Sequence, residues 1–131
     1  MAVRIVRLGS PRHEDEGVRI GTVRRPPRGV RKEEFASRDF YDVWYPQLSP
    51  LPELVQAAQT AQAEHDQKAW DAFVKQFRKQ MKEPDASRTL DLLAALSHQS
   101  NFSIGCYCED ETHCHRSVLR ELLTERGADL R

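Results

Sequence analysis

Beyond one nine-residue window this chain has no cysteine, and nowhere does it have an apolar run long enough to cross a bilayer. An extracellular disulfide framework calls for an even number of cysteines spread along the chain; here there are three, at positions 106, 108 and 114. Aromatics are sparse, at 8%, and net charge is missing too, with 20 Lys and Arg set against 20 Asp and Glu. A balanced chain lacks the whole-surface basic field of a general nucleic-acid binder. Met1-Ala2-Val3-Arg4-Ile5-Val6-Arg7 places charges where a signal peptide needs an apolar stretch, so the sequence predicts a cytoplasmic protein with no membrane association.

What is present fits one folded unit. With 131 residues, 39% hydrophobic and 31% charged, the chain has the size and apolar content of a single domain spanning 1–131. The neutral total conceals an asymmetry. Residues 1–32 hold nine Arg and Lys against three acids, so this third carries +6 (9 − 3) and the remainder −6. That predicts a local anion site near the N-terminal segment.

Hydrophobic periodicity sketches the elements. Val3, Ile5 and Val6 read as a first strand, and Val18 to Val23 alternates as a second, ended by Pro26-Pro27. Lys32 to Ser37 reads as a helical turn, and Asp39 to Tyr45 fits neither period. Ser49-Pro50 opens a helix running to Ala63. Trp70, Phe73, Val74, Phe77 and Met81 mark one face of a second helix closed by Pro84-Asp85, and Leu90, Leu92, Leu93 and Leu96 a third from about Ser87 to Gln99. Phe102 to Cys108 reads as a short central strand; from about His113 the pattern turns helical, with Gly127 as its stop. Strands at both ends with helices between predict an α/β fold: a single three-layer domain with a small, mainly parallel sheet flanked by helices.

Two segments carry candidate chemistry. In Cys106-Tyr107-Cys108 … His113-Cys114-His115-Arg116, a strand feeds a short acidic loop and then a helix N-terminus, which favours bound anions and stabilises thiolates. Three readings stand side by side. The cysteines are small buried hydrophobes. Alternatively Cys106, Cys108, Cys114 and His113 (or His115) hold zinc or iron, although structural zinc sites usually pair two well-separated knuckles. The third is a thiol-bearing pocket for an anionic small molecule, phosphate- or carboxylate-bearing, a nucleotide included. There Cys114 is the candidate nucleophile or redox thiol, His115 or His113 the proton carrier, Arg116 the anion anchor and Cys106 part of the wall. The Cys114 to Arg120 spacing matches that of the phosphate loop of cysteine phosphatases, but the five intervening residues lack glycine and are helical in pattern, which argues against that chemistry.

The second segment, Arg24-Arg25-Pro26-Pro27-Arg28-Gly29-Val30-Arg31, is a shaped loop rich in guanidinium groups, suited to bidentate recognition of phosphate or carboxylate by Arg24, Arg25 and Arg28. It reads equally well as a solvated basic turn. Because loops after the C-terminal ends of parallel strands converge on one edge, the two segments are expected to meet there in one positively charged, thiol-lined pocket. A nucleic-acid-associated role through the basic N-terminal third is the weaker alternative, and no basic recognition helix supports it. The oligomeric state is not written in the sequence.

The Val23-to-Val30 segment, Trp44, Leu48-Ser49-Pro50, Trp70 with Phe73, and Cys106 to Arg116 followed by Ser117-Val118-Leu119-Arg120-Glu121-Leu122-Leu123 resemble the YeaO-like bacterial family, domain-of-unknown-function family 488, over nearly the whole chain. The resemblance implies a cytosolic α/β domain without an established activity. Because some branches of that family lose the cysteines, it also implies that the Arg24, Arg25 and Arg28 loop is the more general site and the cysteines a specialisation.

Overall fold

The structure, a computed structural model, describes residues 1–131. Four strands, β1 (Val3–Arg7), β2 (Val18–Gly21), β3 (Val43–Trp44) and β4 (Phe102–Cys106), form one sheet in the order β1-β4-β2-β3, parallel throughout. The helices are α1 (Pro52–Ala63), α2 (Gln67–Gln80), α3 (Pro84–Leu96) and α4 (His115–Glu125). The α/β class and the parallel sheet expected from the sequence are both present.

The register fixes the faces. Val3 pairs with Phe102, Ile5 with Ile104 and Ile20 with Ile104, so these apolar side chains share one face. They pack in one cluster with Phe73, Phe77, Leu90, Leu119 and Leu123 from α2, α3 and α4. Burying each such side chain contributes about 1.5–3 kcal/mol, which makes this cluster the main source of stability. Strand β4 is buried at every position, as a central strand must be.

The opposite face is covered by irregular chain, residues 8–17 and 31–42, in place of further helices. Two glycines allow the close approach. A Cβ at Gly21 would lie 2.4 Å from the Tyr41 ring, and one at Gly105 would lie 2.6 Å from the Val6 carbonyl and 2.9 Å from Leu8. Beneath this layer lies a buried ion pair. Arg19 Nε and a second guanidinium nitrogen donate to the two Glu16 oxygens at 2.7 and 2.9 Å, and the third nitrogen donates to the carbonyls of Ser10 and Asp39. Ser103 of β4 donates to Glu16 at 2.7 Å.

Several boundaries differ from the periodic reading. Pro84 begins α3 at a first-turn position, where its missing N–H costs nothing, so α3 starts three residues before Ser87. The ambiguous 39–45 stretch supplies the two-residue edge strand β3. The 32–37 turn is a 3₁₀ turn at Lys32–Glu34. Strand β4 stops at Cys106 and α4 starts at His115, two residues later than expected, with a separate 3₁₀ turn at Glu111–His113.

The buried pair sets the acid limit of the fold. Burial raises the Glu16 pKa, but hydrogen bonds from Arg19 and Ser103 outweigh it and hold the carboxyl at about 2, below its ordinary 4.5. A depressed carboxylate contributes stability that is fully present above its unfolded value and is lost as pH falls from about 4.5 towards 2. Glu16→Ala leaves Arg19 charged, buried and unpaired. Urea unfolding at pH 7 is expected to show about 3 kcal/mol of destabilisation, with the loss between pH 4.5 and 2 correspondingly flattened.

Candidate functional site

All four strands run the same way, so their C-terminal ends share one edge. Leu8 N–H donates to the Cys106 carbonyl and Thr22 N–H to that of Gly105, which carries the ladders just past β1 and β2 to that edge. There the chain after β2 (Val23 to Arg28) faces the chain after β4 (Tyr107 onward). Between them and α1 lies a cavity of about 840 Å³ lined by Arg24, Arg25, Arg28, Tyr107, Cys108 and His115 among others, with Cys106 and Cys114 at its inner wall. The structure thus brings both candidate segments to one cavity at one end of the sheet.

The rim is held by side chains bonded to backbone. Arg24 donates to the carbonyls of Ser49 (2.9 Å) and Pro50 (3.1 Å), Trp44 Nε1 to Val23 O (2.7 Å) and the Tyr107 hydroxyl to Arg25 O (2.9 Å). Arg24 is therefore a staple between the loop and the start of α1. The side chains of Arg25 and Arg28 are exposed and make no hydrogen bond or ion pair, so their guanidinium groups are unengaged at the cavity mouth. Elsewhere in the basic third, Arg4, Arg7, Arg12 and Arg19 are ion-paired with acids, which confines the unpaired positive charge to this loop and the adjoining Arg31 and Lys32. No carboxylate lines the cavity. The acidic loop after Cys108 turns away and lines a neighbouring cavity of about 510 Å³, with Asp66, Glu109 and Asp110.

At the inner wall the three thiols and one imidazole gather. All three cysteines are free; Cys106 and Cys114 are buried at 1% exposure and Cys108 is half-buried. Sulfurs of Cys106 and Cys114 and a ring nitrogen of His115 lie within 4.8 Å of one another. His115 Nδ1 faces Cys114 Sγ at 3.8 Å, and Nε2 meets the Thr22 carbonyl at 2.6 Å. A carbonyl only accepts, so Nε2 carries the proton of the neutral ring and Nδ1 presents its lone pair to the sulfurs. Burial pushes the imidazole down to about 4, against the Thr22 hydrogen bond that raises it, so the ring is neutral near pH 7.

The thiols differ. Hydrogen bonding with Cys108 and Cys114, together with burial, raises Cys106. Cys108, the acceptor from both neighbours, is lowered against the effect of burial, with the Arg116 charge contributing. At Cys114 a hydrogen bond with Cys106 lowers the pKa, but hydrogen bonding with Cys108 and burial raise it further, to about 11. Arg116 is 4% exposed and donates to the Cys108 carbonyl at 2.6 Å, while its Nε has no acceptor. Burial lowers the Arg116 pKa, but the Cys106 and Cys114 sulfurs beside it raise it on balance.

The geometry separates the expected site residues by their surroundings. Cys114 is neither low in pKa nor accessible, because it is the residue before α4 and its sulfur is buried against the other two. His113 is outside the cluster: its ring packs on Trp70 at 5.4 Å and its Nδ1 faces Asp110. His115 is the histidine inside. Arg24 is spent on backbone carbonyls, and Arg116 lies behind the thiols and does not line the cavity. Five contributors were not anticipated. Gln56, Gln59 and Gln62 on α1 line the cavity at a spacing of three, opposite Cys106 to Cys108. Their signal was a polar row on a helix whose buried residues, Ala58 and Ala61, are unusually small. Thr22 and Tyr107 could be recognised only once the strands were aligned.

Exposure orders the reactivity of the thiols. Iodoacetamide treatment of chelator-treated native protein is expected to label Cys108 first, with Cys106 and Cys114 reacting only on unfolding, as read by peptide mass spectrometry. Equal labelling of all three in the native state would contradict the packing described.

A family model described as "Active DUF488-N3 subclade" matches residues 3–127 of this sequence. No curated protein and no solved structure matches the chain.

Proposed function

The chain belongs to the DUF488 family, and we propose that in this member the cavity at the C-terminal edge of the sheet binds an anionic small molecule bearing phosphate or carboxylate. The observation that carries this reading is the lining of the cavity: three arginines, two of them unpaired, and no carboxylate, in a chain with as many acids as bases. A free guanidinium is matched in geometry to phosphate and carboxylate oxygens. Arg25 and Arg28 are the anion ligands, and Arg24 holds their loop in place. Apolar wall residues Pro50, Pro52, Val55, Phe40 and Phe73, with the glutamine amides of α1, suit an organic body attached to the anionic group, a nucleotide among the candidates.

The description of the matching model as the active subclade fits a site that acts on its ligand as well as holding it. Electrostatics favours this ligand class over a nucleic-acid duplex. The unpaired cations that line the cavity, Arg25 and Arg28, sit on one short loop at a concave mouth, whereas a duplex needs an extended basic track along its phosphates.

Calorimetric titration with pyrophosphate, a probe of the anion class, tests the reading. Binding is expected at one site per chain, weakened roughly tenfold or more in Arg28→Ala and further in Arg25→Ala/Arg28→Ala, and reduced by added salt. Pyrophosphate affinity unchanged by removal of both arginines would overturn it.

A further inference from the structure

The cluster at the inner wall has a use that does not depend on the anion reading. We propose that Cys106, Cys114 and His115 Nδ1 bind a soft divalent cation of the zinc class, with Cys108 as the fourth ligand.

Three observations converge on it. The first is distance. Zinc bonds of about 2.3 Å to sulfur and about 2.0 Å to nitrogen set tetrahedral ligand atoms roughly 3.5–3.8 Å apart. Here Cys114 Sγ and His115 Nδ1 are 3.8 Å apart, and Cys106 Sγ lies within 4.8 Å of both. Cys108 lies outside this 4.8 Å group but lines the same cavity two residues beyond Cys106, so its side chain has to rotate inward to close the tetrahedron.

The second is the state of the histidine. Metal-bound imidazoles almost always donate their remote N–H to a carbonyl or carboxylate, which fixes ring and tautomer. The Nε2–H to Thr22 carbonyl bond of 2.6 Å does this, and Thr22 is itself anchored by its hydroxyl on Gly105 O at 3.0 Å. Phe77 packs edge-on to the ring at 5.8 Å between centroids, closing its other side. The donor atom is preset before any cation arrives.

The third is Arg116. Its guanidinium is buried beside Cys106 and Cys114, yet its Nε has no acceptor. A buried, unpaired N–H is costly. Metal binding converts the thiols to thiolates, releasing one proton per sulfur to solvent, and a thiolate is a far better acceptor than a thiol. The orphaned Nε lies next to the sulfurs that gain charge. Local sequence spacing does not forbid the site, because the ligands come from two elements, the end of β4 and the residues that open α4. The half-buried position of Cys108 on the cavity wall makes it the exchangeable ligand, the one a bound anion or water could displace.

Cobalt(II) titration of the reduced, metal-free protein tests the proposal without any anion present. The three cysteines of the cluster are the only ones in the chain, so a sulfur-to-cobalt charge-transfer band in the unaltered protein reports on this cluster alone. The expected result is a band saturating at one cobalt per chain, with the strong visible absorption of a four-coordinate ion, displaced by zinc. Cys108→Ser is expected to keep a weaker band, and Cys106→Ser or Cys114→Ser to lower affinity by at least about tenfold. His113→Ala leaves the band unchanged, whereas His115→Ala shifts it. Absence of the band in the unaltered protein overturns the proposal whatever the variants do. So does a band that His115→Ala leaves unshifted.

Discussion

The Arg19 guanidinium is the group on which one whole side of this molecule depends. It is buried on the face of the sheet away from the helices, and its neighbours are Glu16, Ser10 O and Asp39 O. Through Ser103 the same network reaches β4, so a single buried charge pair joins the two inner strands to both covering loops. A buried pair is weak evidence for net stability against an apolar alternative, but it is specific. Residues 8–17 and 31–42 lie so that Glu16, Ser10 O and Asp39 O all reach the guanidinium. That placement lays Tyr41 flat on Gly21 and sets Phe40 into the cavity wall. The site is thereby tied to an interaction far from its chemistry.

A second constraint comes from chain order. Strand β4 is the last in sequence but sits between β1 and β2, so the sheet closes only when residues 102–106 insert between strands formed from residues 3–21. The inserted strand ends on Cys106, and the chain then has eight residues in which to reach α4. The cysteine cluster is the compact result of that short return. Cys106 at the strand end and Cys114 before the helix are drawn together by the fold, and Thr22 at the end of β2 supplies the carbonyl that orients His115.

Much of this was legible in the sequence, and for identifiable reasons. Period-two alternation at 18–23 and the helical stripe through Trp70, Phe73 and Phe77 reflect side chains facing one core, so they mark real elements. The parallel sheet followed from strands at both ends with helices between, and the convergence of the arginine and cysteine loops followed from the parallel sheet. Roles within the site were not legible. His113 and His115 are indistinguishable in a linear reading; only the 3₁₀ turn at Glu111–His113 sends the first outward and the start of α4 turns the second inward. Cys114 read as a reactive thiol at a helix start, yet the tight return buries it. Arg24 looked equivalent to Arg28 until the carbonyls of Ser49 and Pro50 were seen to occupy it.

One cavity unites an unpaired arginine pair with the Cys106, Cys114 and His115 cluster, and an oxyanion is the ligand proposed for it. The most direct measurement is anomalous diffraction from crystals of the protein soaked in tungstate, a heavy stand-in for phosphate. An anomalous peak is expected inside the cavity, within bonding distance of the Arg25 or Arg28 guanidinium and on the side of the thiol cluster. A peak confined to other surface cations, with the cavity empty at full occupancy elsewhere, would contradict it.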